Sequence, residues 1–228
     1  MSAILTIDRV PDDELLRRTV AGDGEAFAAL YRRRRPDVFR FTLHMTADPS
    51  VAEDIVQDVF VAVMHDGGRF EPGRSTVAAW LRGIARNLLR QRFARDRRLE
   101  PLAHDEEPPE SAVAQPDALA DLLRVERVEA LRRAVLSLPL RYREAVVFCD
   151  LQELSYSDAA AALSCAVGTV RSRLHRGRAL LAAKMAASAA ARAKAVESET
   201  DEPGPDLTRV AGIRRVRNAA LEPGGWAS

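Results

Sequence analysis

Residues 154–181, LSYSDAAAALSCAVGTVRSRLHRGRALL, constrain the fold more tightly than any other stretch of the chain. Ser155 and Asp158 have capping-box spacing, a hydroxyl and a carboxylate each placed to take an orphan amide at a helix start. Tyr156, Ala159, Ala160 and Leu163 then give one apolar face, and Ser164-Cys165 breaks the pattern. A second helix is expected from Ala166 onward. With about 100° of rotation per residue, Val167, Val170, Leu174, Gly177 and Leu181 fall on one side of it. Gly168, Thr169, Arg171, Ser172, His175 and Arg176 face away, flanked by Arg173 and Arg178. The pattern predicts a helix-turn-helix whose second helix has a packed back and a cationic, hydrogen-bonding front, as entry into a DNA major groove requires. A basic stripe alone reads better as a solvated helix face. Two details favour DNA. The front has almost no acids to balance its charge, and Gly168 sits where a side chain would hold the helix off a duplex. Glycine inside a helix costs about 1 kcal/mol relative to alanine, so its presence suits close approach.

Elsewhere, strand-forming patterns are scarce. Aromatics make up 5% of the 228 residues, alanine is abundant and period-two alternation is hard to find, so an all-α fold is expected. The length fits one or two domains. A net charge of +1 hides strong local segregation. Cys149 and Cys165, the two cysteines, lack metal-ligand spacing and read as small buried hydrophobes in a reducing cytosol, with a redox pair as the other reading. Residues 1–10 carry Asp8 and Arg9 and lack the apolar core of a signal peptide. No run approaches the roughly 18 apolar residues of a bilayer span, and Lys184 interrupts the 182–190 stretch. A soluble, cytoplasmic protein without membrane insertion is expected. His44, His65, His104 and His175 are scattered, and no nucleophile–base pair, metal cluster or phosphate-cradling loop is found. No catalytic residue, metal or cofactor is therefore assigned.

The chain opens with a helix pair over 11–30, Asp12 capping residues 14–21 and Gly22-Asp23-Gly24 making the turn. The next amphipathic helix runs through Phe27, Tyr31, Phe39 and Met45, with a bend or break expected at Pro36. Another starts at Asp48-Pro49, or at Ser50 with Glu53 as a capping box. Its inner face is Ala52, Ile55, Val59, Ala62 and Val63, and its outer face Asp54, Gln57, Asp58 and Val61. First-turn acids offset a helix dipole, which accounts for Glu53 and Asp54. It leaves Asp58 and Val61 unexplained, so a protein-binding face is the alternative. The glycines and proline of 65–76 exclude regular structure there. A long helix over 77–93 has Trp80, Leu81, Ile84, Ala85, Leu88 and Leu89 on one side and Arg82, Arg86, Asn87, Arg90 and Arg92 on the other. The loop's Arg69, Phe70 and Arg74 beside this helix have the chemistry to hold splayed single-stranded bases. The plainer reading makes Trp80 core and the arginines surface.

Charge then reverses. Between Leu99 and Leu123 there is no Lys or Arg, but seven acids and Pro101, Pro108, Pro109 and Pro116, the composition of a flexible linker. A second domain follows, with helices over 125–138 and 141–150 ahead of the helix-turn-helix. Beyond residue 196 the composition is that of a disordered tail, with a weak amphipathic patch at 213–221.

Two separated segments resemble one family. AEDIVQDVF (52–60), followed after a loop by AAWLRGIARNLL (78–89), is similar to the sigma-2 domain of bacterial sigma factors. LSLPLRYREAVVF (136–148) and the helix-turn-helix are similar to the sigma-4 domain. The short intervening linker places the resemblance with the extracytoplasmic-function (ECF) group of the sigma-70 family. It covers roughly residues 12–185. Ala166 stands where the family often has proline, and the tail lies outside the minimal pattern. The resemblance implies a sigma-2 domain over 11–98, an acidic linker over 99–123, a sigma-4 domain over 124–186 and a tail over 196–228. It implies that Asp54, Gln57, Asp58 and Val61 dock on the clamp helices of the largest subunit of core RNA polymerase, with a further contact at the flap region. Arg69, Phe70, Arg74, Ser75 and Thr76 would capture a flipped base of the promoter −10 element, with Arg86, Asn87 and Arg90 on adjacent backbone. The −35 element would be read by Gly168, Thr169, Arg171, Ser172, Arg173, His175 and Arg176. An anti-sigma factor is a further implied partner. The competing expectation is a stand-alone helix-turn-helix regulator of duplex DNA, which leaves the AEDIVQDVF helix and the basic Trp80 helix without a role.

Overall fold

A computed structural model of the chain describes Ile7, residues 9–99 and residues 118–200, and these form helices and turns without strands. Helix α1 (Asp12–Val20) has Asp12, Asp13 and Glu14 in its first turn and Arg17 and Arg18 in its last, charges that oppose the helix dipole at each end. Asp12 does not cap it. Pro11 holds the cap position, and the Asp12 carboxylate accepts from Arg33 at 2.7 Å and pairs with Arg34, both on the next helix. Two charged donors outcompete one backbone amide.

Helix α2 (Gly24–Thr46) is capped by Asp23, whose carboxylate accepts the amides of Glu25 and Ala26. It continues through Pro36 as one helix. Leu30 on one side of the proline and Val38, Phe41 and Met45 on the other are all buried, and this packing offsets the roughly 3 kcal/mol that an interior proline costs. Helix α3 (Pro49–Asp66) starts at Asp48, which accepts the amides of Ser50 and Val51. Glu53 does not reach back to that terminus and pairs instead with Arg35 at 2.6 Å. The loop that follows is less irregular than expected: its first residues finish α3, and Gly67–Arg69 form a 3-10 turn. Helix α4 (Val77–Leu99) outruns its expected end at 93.

In the second half, α5 (Ala118–Leu136) begins inside the segment expected to be linker, so the linker is shorter than 99–123. Residues 100–117 lie outside the described residues. Pro139 starts α6 (Leu140–Val146), which passes into a π-helical turn, Val147–Leu151, and not a continuous α-helix to 150. Helix α7 (Tyr156–Leu163) has the hydroxyl half of the expected capping box: the Ser155 hydroxyl accepts the Asp158 amide at 3.0 Å, while the Asp158 carboxylate takes that hydroxyl at 2.8 Å and the Thr76 amide at 3.2 Å. Ser164, in the left-handed region at φ 50°, turns the chain into α8 (Val167–Thr200). Residues 196–200, expected to begin a disordered tail, are the end of this helix; 201–228, with the 213–221 patch, lie outside the described residues. Tyr156 is exposed and does not join the apolar face of α7. Ala162 takes a buried place instead.

The chain divides into two compact units, Met1–Ser188 and Ala189–Ser228, and of the second only the end of α8 is described. Both expected domains lie within the first. They share a core in which Phe41 of α2 stacks on Phe148 at 4.7 Å and 13°, a pairing worth about 0.5–1.5 kcal/mol beyond its area. The back of α8 packs on α6 through Leu174 and Gly177, and Val170 is buried in the larger core. A Cβ on Gly177 would stand 2.8 Å from Val146 Cγ2 and 3.3 Å from the Tyr142 carbonyl oxygen, so the approach requires glycine.

Candidate nucleic-acid interface

The front of α8 has the predicted character. Gly168, Arg171, Ser172, His175 and Arg176 are exposed, Thr169 and Arg173 half-buried, while Val170 and Leu174 are buried behind them. A Cβ on Gly168 would meet nothing within 4 Å, so the fold does not demand glycine there. Arg171 lies over the Tyr156 ring, 5.7 Å from its centroid, which restricts a long side chain before any ligand arrives. Ser172 donates its hydroxyl to the Thr169 carbonyl, leaving its oxygen as an acceptor. Arg178, on the flank, is bound to Asp150 by two hydrogen bonds of 2.6 and 3.0 Å, which hold it away from the front.

Two residues absent from the sequence-based site extend this surface. Arg141 and Tyr142, at the start of α6, join Thr169, Ser172, Arg173 and Arg176 around a depression of about 190 Å³. The Arg176 guanidinium beside the Tyr142 hydroxyl holds that phenol below its usual range, with Arg141 adding to the effect. Three guanidiniums and no acid line the depression, so its chemistry is that of an anion site. The only sequence cue was Arg141 falling next to a proline-started helix.

The region expected to hold a single strand is less free than its sequence suggests. Arg69 and Arg74 are exposed on the loop and pair locally with Asp66 and Glu71. Phe70 is half-buried and meets Trp80 edge-on at 5.6 Å. Trp80 is itself half-buried, so the pair forms one wall of a cleft of about 230 Å³ with Arg69, Arg74, Ser75 and Asn87. The opposite wall is Ala161, Ala162 and Ser164 from the second region. Thr76 caps α4 by accepting the Ala79 amide, and its own amide is held by the Asp158 carboxylate at 3.2 Å.

Arg86 departs most from expectation. Its side chain is 8% exposed, and its Nε donates to Glu144, 1% exposed, at 2.9 Å. Arg90 approaches the same oxygen at 3.7 Å, and the second Glu144 oxygen has no hydrogen-bond partner. Arg82, expected on the same basic face, is also buried, 3.6 Å from Asp37; burial lowers its pKa. A helix wheel places these arginines on an outer face, but α6 and α7 cover part of that face from far along the chain. Asn87 remains exposed and accepts from Arg86 at 3.3 Å.

On α3, Asp54, Gln57, Asp58 and Val61 all lie on the exposed outer face, with Asp54 3.4 Å from Arg92. Val61 is 47% exposed and Met64, one turn on and missed in the sequence, 53%. An apolar pair on a surface helix beside three polar residues is suited to packing against another protein. Cys149 and Cys165 are unbonded, and burial pushes the Cys149 thiol up, away from a reactive thiolate. Among the described residues no group of His, Cys, Asp and Glu has the arrangement of a metal site, and no helix is long and apolar enough to cross a membrane.

Residues 30–99 match the family model for sigma-70 region 2, and residues 128–181 that for sigma-70 region 4. The ECF RNA polymerase sigma factor SigM of Mycobacterium tuberculosis is 36% identical over 171 residues, which are 75% of this chain and 83% of that one. This chain belongs to the sigma-70 family. Its relatives place it among the ECF members, and they include EcfG of Rhodopseudomonas palustris, 35% identical over 65% of this chain and 78% of that one. Two solved structures are similar in fold. One is CnrH in complex with the cytosolic domain of CnrY, with TM-score 0.56, 28% identity, and 77% of this chain and 97% of that one covered. The other is the sigma factor RpoE of Bartonella quintana in complex with the anti-sigma factor NepR, with TM-score 0.55, 28% identity, and 66% and 91% covered.

Proposed function

We propose that this sigma-70 family member binds core RNA polymerase and directs promoter-specific initiation, region 4 reading the −35 element and region 2 engaging the −10 element and its opened strand. The observation that carries the reading is one chain holding both a packed-back, cationic-front recognition helix and an exposed acidic-apolar helix face. The first suits a DNA groove and the second a protein. Under this assignment Gly168, Thr169, Arg171, Ser172, Arg173, His175 and Arg176 contact the −35 duplex. Arg69, Phe70, Arg74, Ser75, Thr76, Asn87 and Arg90 serve the −10 strand, and Arg86 joins them once released from Glu144. Asp54, Gln57, Asp58 and Val61 dock on the clamp helices, and region 4 meets the flap. The protein works in the cytoplasm, performs no catalysis itself, and is held in check by an anti-sigma factor, the kind of partner that accompanies RpoE in its structure.

Run-off transcription with purified core polymerase on promoter fragments tests this. A promoter-dependent transcript is expected; absence of both a transcript and a complex with core polymerase refutes the assignment. Arg171→Ala or Arg176→Ala is expected to cost about 1–3 kcal/mol of −35 discrimination, as for a lost base contact. Equal losses on matched and scrambled −35 sequences would make these residues phosphate contacts.

A further inference from the structure

Arg141 and Tyr142 precede the helix-turn-helix, yet they share a depression of about 190 Å³ with Thr169, Ser172, Arg173 and Arg176 of α8. Tyr142 is 9% exposed, so its ring is a fixed floor. The Arg141 guanidinium lies over that ring, 4.7 Å from its centroid, and Arg176 stands by its hydroxyl. Stacking on the ring face holds a long side chain in place before any ligand arrives. Among the described residues Arg141, Arg173 and Arg176 form no ion pair with an acid, whereas Arg69, Arg74, Arg92 and Arg178 each do. Neighbouring cations without a counter-ion repel one another, and an anion seated between them removes that repulsion. The lowered pKa of the Tyr142 phenol reflects the same unbalanced positive potential.

Orientation decides which anion. At about 100° per residue, Gly168, Arg171, Ser172 and His175 centre the front of α8, and Thr169, Arg173 and Arg176 lie about a third of a turn to one side, toward α6. A helix about 10–12 Å across fills a major groove about 12 Å wide, so its front meets base edges and its flanks meet the two bordering backbones. The two flanks of α8 differ. Arg178, on the other flank, is taken up by Asp150 through two hydrogen bonds, while the flank toward α6 keeps its cations open.

We propose that Arg141, Tyr142 and Arg173 form a seat for one backbone phosphate at the edge of the −35 duplex, so that α6 takes part in DNA binding from outside the helix-turn-helix. This rests on the reading of α8 as the −35 helix. A phosphodiester carries no base identity, so the seat adds affinity and fixes how α8 lies in the groove without adding discrimination. Arg176 borders both the seat and the groove, and the Tyr142 hydroxyl steadies it for the base contact assigned to it.

Fluorescence anisotropy of the full chain on two labelled duplexes, one with the −35 element and one with that element scrambled, tests the seat. Each phosphate contact contributes about 0.9 to the slope of log affinity against log salt, or about eightfold at 0.1 M salt relative to 1 M. Arg141→Gln is therefore expected to weaken binding to both duplexes by the same factor, about five- to tenfold at 0.1 M salt, and to make the slope shallower by about 0.9. Arg141→Lys, which keeps the charge, should keep most of the slope. Neutralising single phosphates as methylphosphonates should find one position whose loss weakens binding by the unmodified chain and leaves the Arg141→Gln chain unaffected. Unchanged affinity and slope in Arg141→Gln, a loss confined to the −35 duplex, or no such phosphate overturns the proposal. If the unmodified chain directs no transcript with core polymerase while Arg141→Gln still lowers the slope on both duplexes, the seat stands and the sigma-factor assignment falls.

Discussion

Two glycines in α8 lie nine positions apart and have opposite surroundings, which makes them a matched experiment. Alanine at either place recovers helix propensity, up to about 1 kcal/mol and less in the first turn where Gly168 sits. At Gly168 nothing stands within 4 Å of the new Cβ, so Gly168→Ala is expected to stabilise the free protein by roughly 0.5 kcal/mol. At Gly177 the Cβ meets Val146 Cγ2 at 2.8 Å and the Tyr142 carbonyl at 3.3 Å. Val146 is β-branched and fully packed and the carbonyl is backbone, so neither yields cheaply; overpacking of this kind costs about 1–3 kcal/mol. Subtracting the propensity gain leaves Gly177→Ala destabilised by about 0–2 kcal/mol. Urea unfolding at constant m-value measures both, and melting temperatures should move in opposite directions by a few degrees for a chain of this size. The functional order is reversed for Gly168: the more stable variant should bind a −35 duplex less tightly, because its methyl enters the space left for DNA. Equal shifts at the two positions would refute the packing argument. Unimpaired duplex binding by Gly168→Ala would refute the close-approach argument.

Other outcomes follow from the same geometry. Val61→Asp or Met64→Asp should weaken binding to core polymerase in a pull-down while leaving the melting temperature within about 1 °C, since both side chains are about half exposed. His44 lies 3.1 Å from Gln152 across the junction, and burial first, then Arg132 and Arg40, holds its pKa below the ordinary value. The folded chain resists its protonation while the unfolded chain takes the proton near pH 6.5. Its contribution to stability is thus complete above that pH and declines as pH falls below it. Urea midpoints at pH 7.5 and 5.5 should show this loss, and His44→Gln should flatten it; an unchanged pH dependence in the variant would assign the effect elsewhere.

How far the sequence reveals the fold depends on the range of the interaction. Local devices were readable: Ser155 with Asp158, Asp48 before Pro49, the packed back and open front of α8. Each is decided within a turn or two of the residue itself. Asp12 misled because a cap depends on which donors are near, and Arg33 and Arg34 arrive from the next helix. Pro36 misled because tertiary packing on both sides outweighs one missing amide. The same limit explains the site. The residues assigned to the −35 element lie on one helix, and its periodicity puts five of them on the exposed face, with Thr169 and Arg173 half-buried. Arg86 was assigned to solvent or DNA because periodicity shows only which side of α4 it occupies; its partner Glu144 is 58 residues away and carries no local mark. Gly83 drew no attention, since its neighbour, the Ala162 backbone of α7 at 3.4 Å from where a Cβ would stand, lies far along the chain.

The burial of the Arg86–Glu144 pair also decides how ionic strength acts on the molecule. Under the proposed assignment, exposed arginines such as Arg69, Arg74 and Arg90 hold a strand by displacing its counterions, an affinity that falls with salt by about 0.7 decades per decade for each phosphate contacted. A pair with both side chains under one-tenth exposed is largely shielded from mobile ions. Added salt is therefore expected to weaken strand binding through the exposed arginines and to spare the Arg86–Glu144 pair.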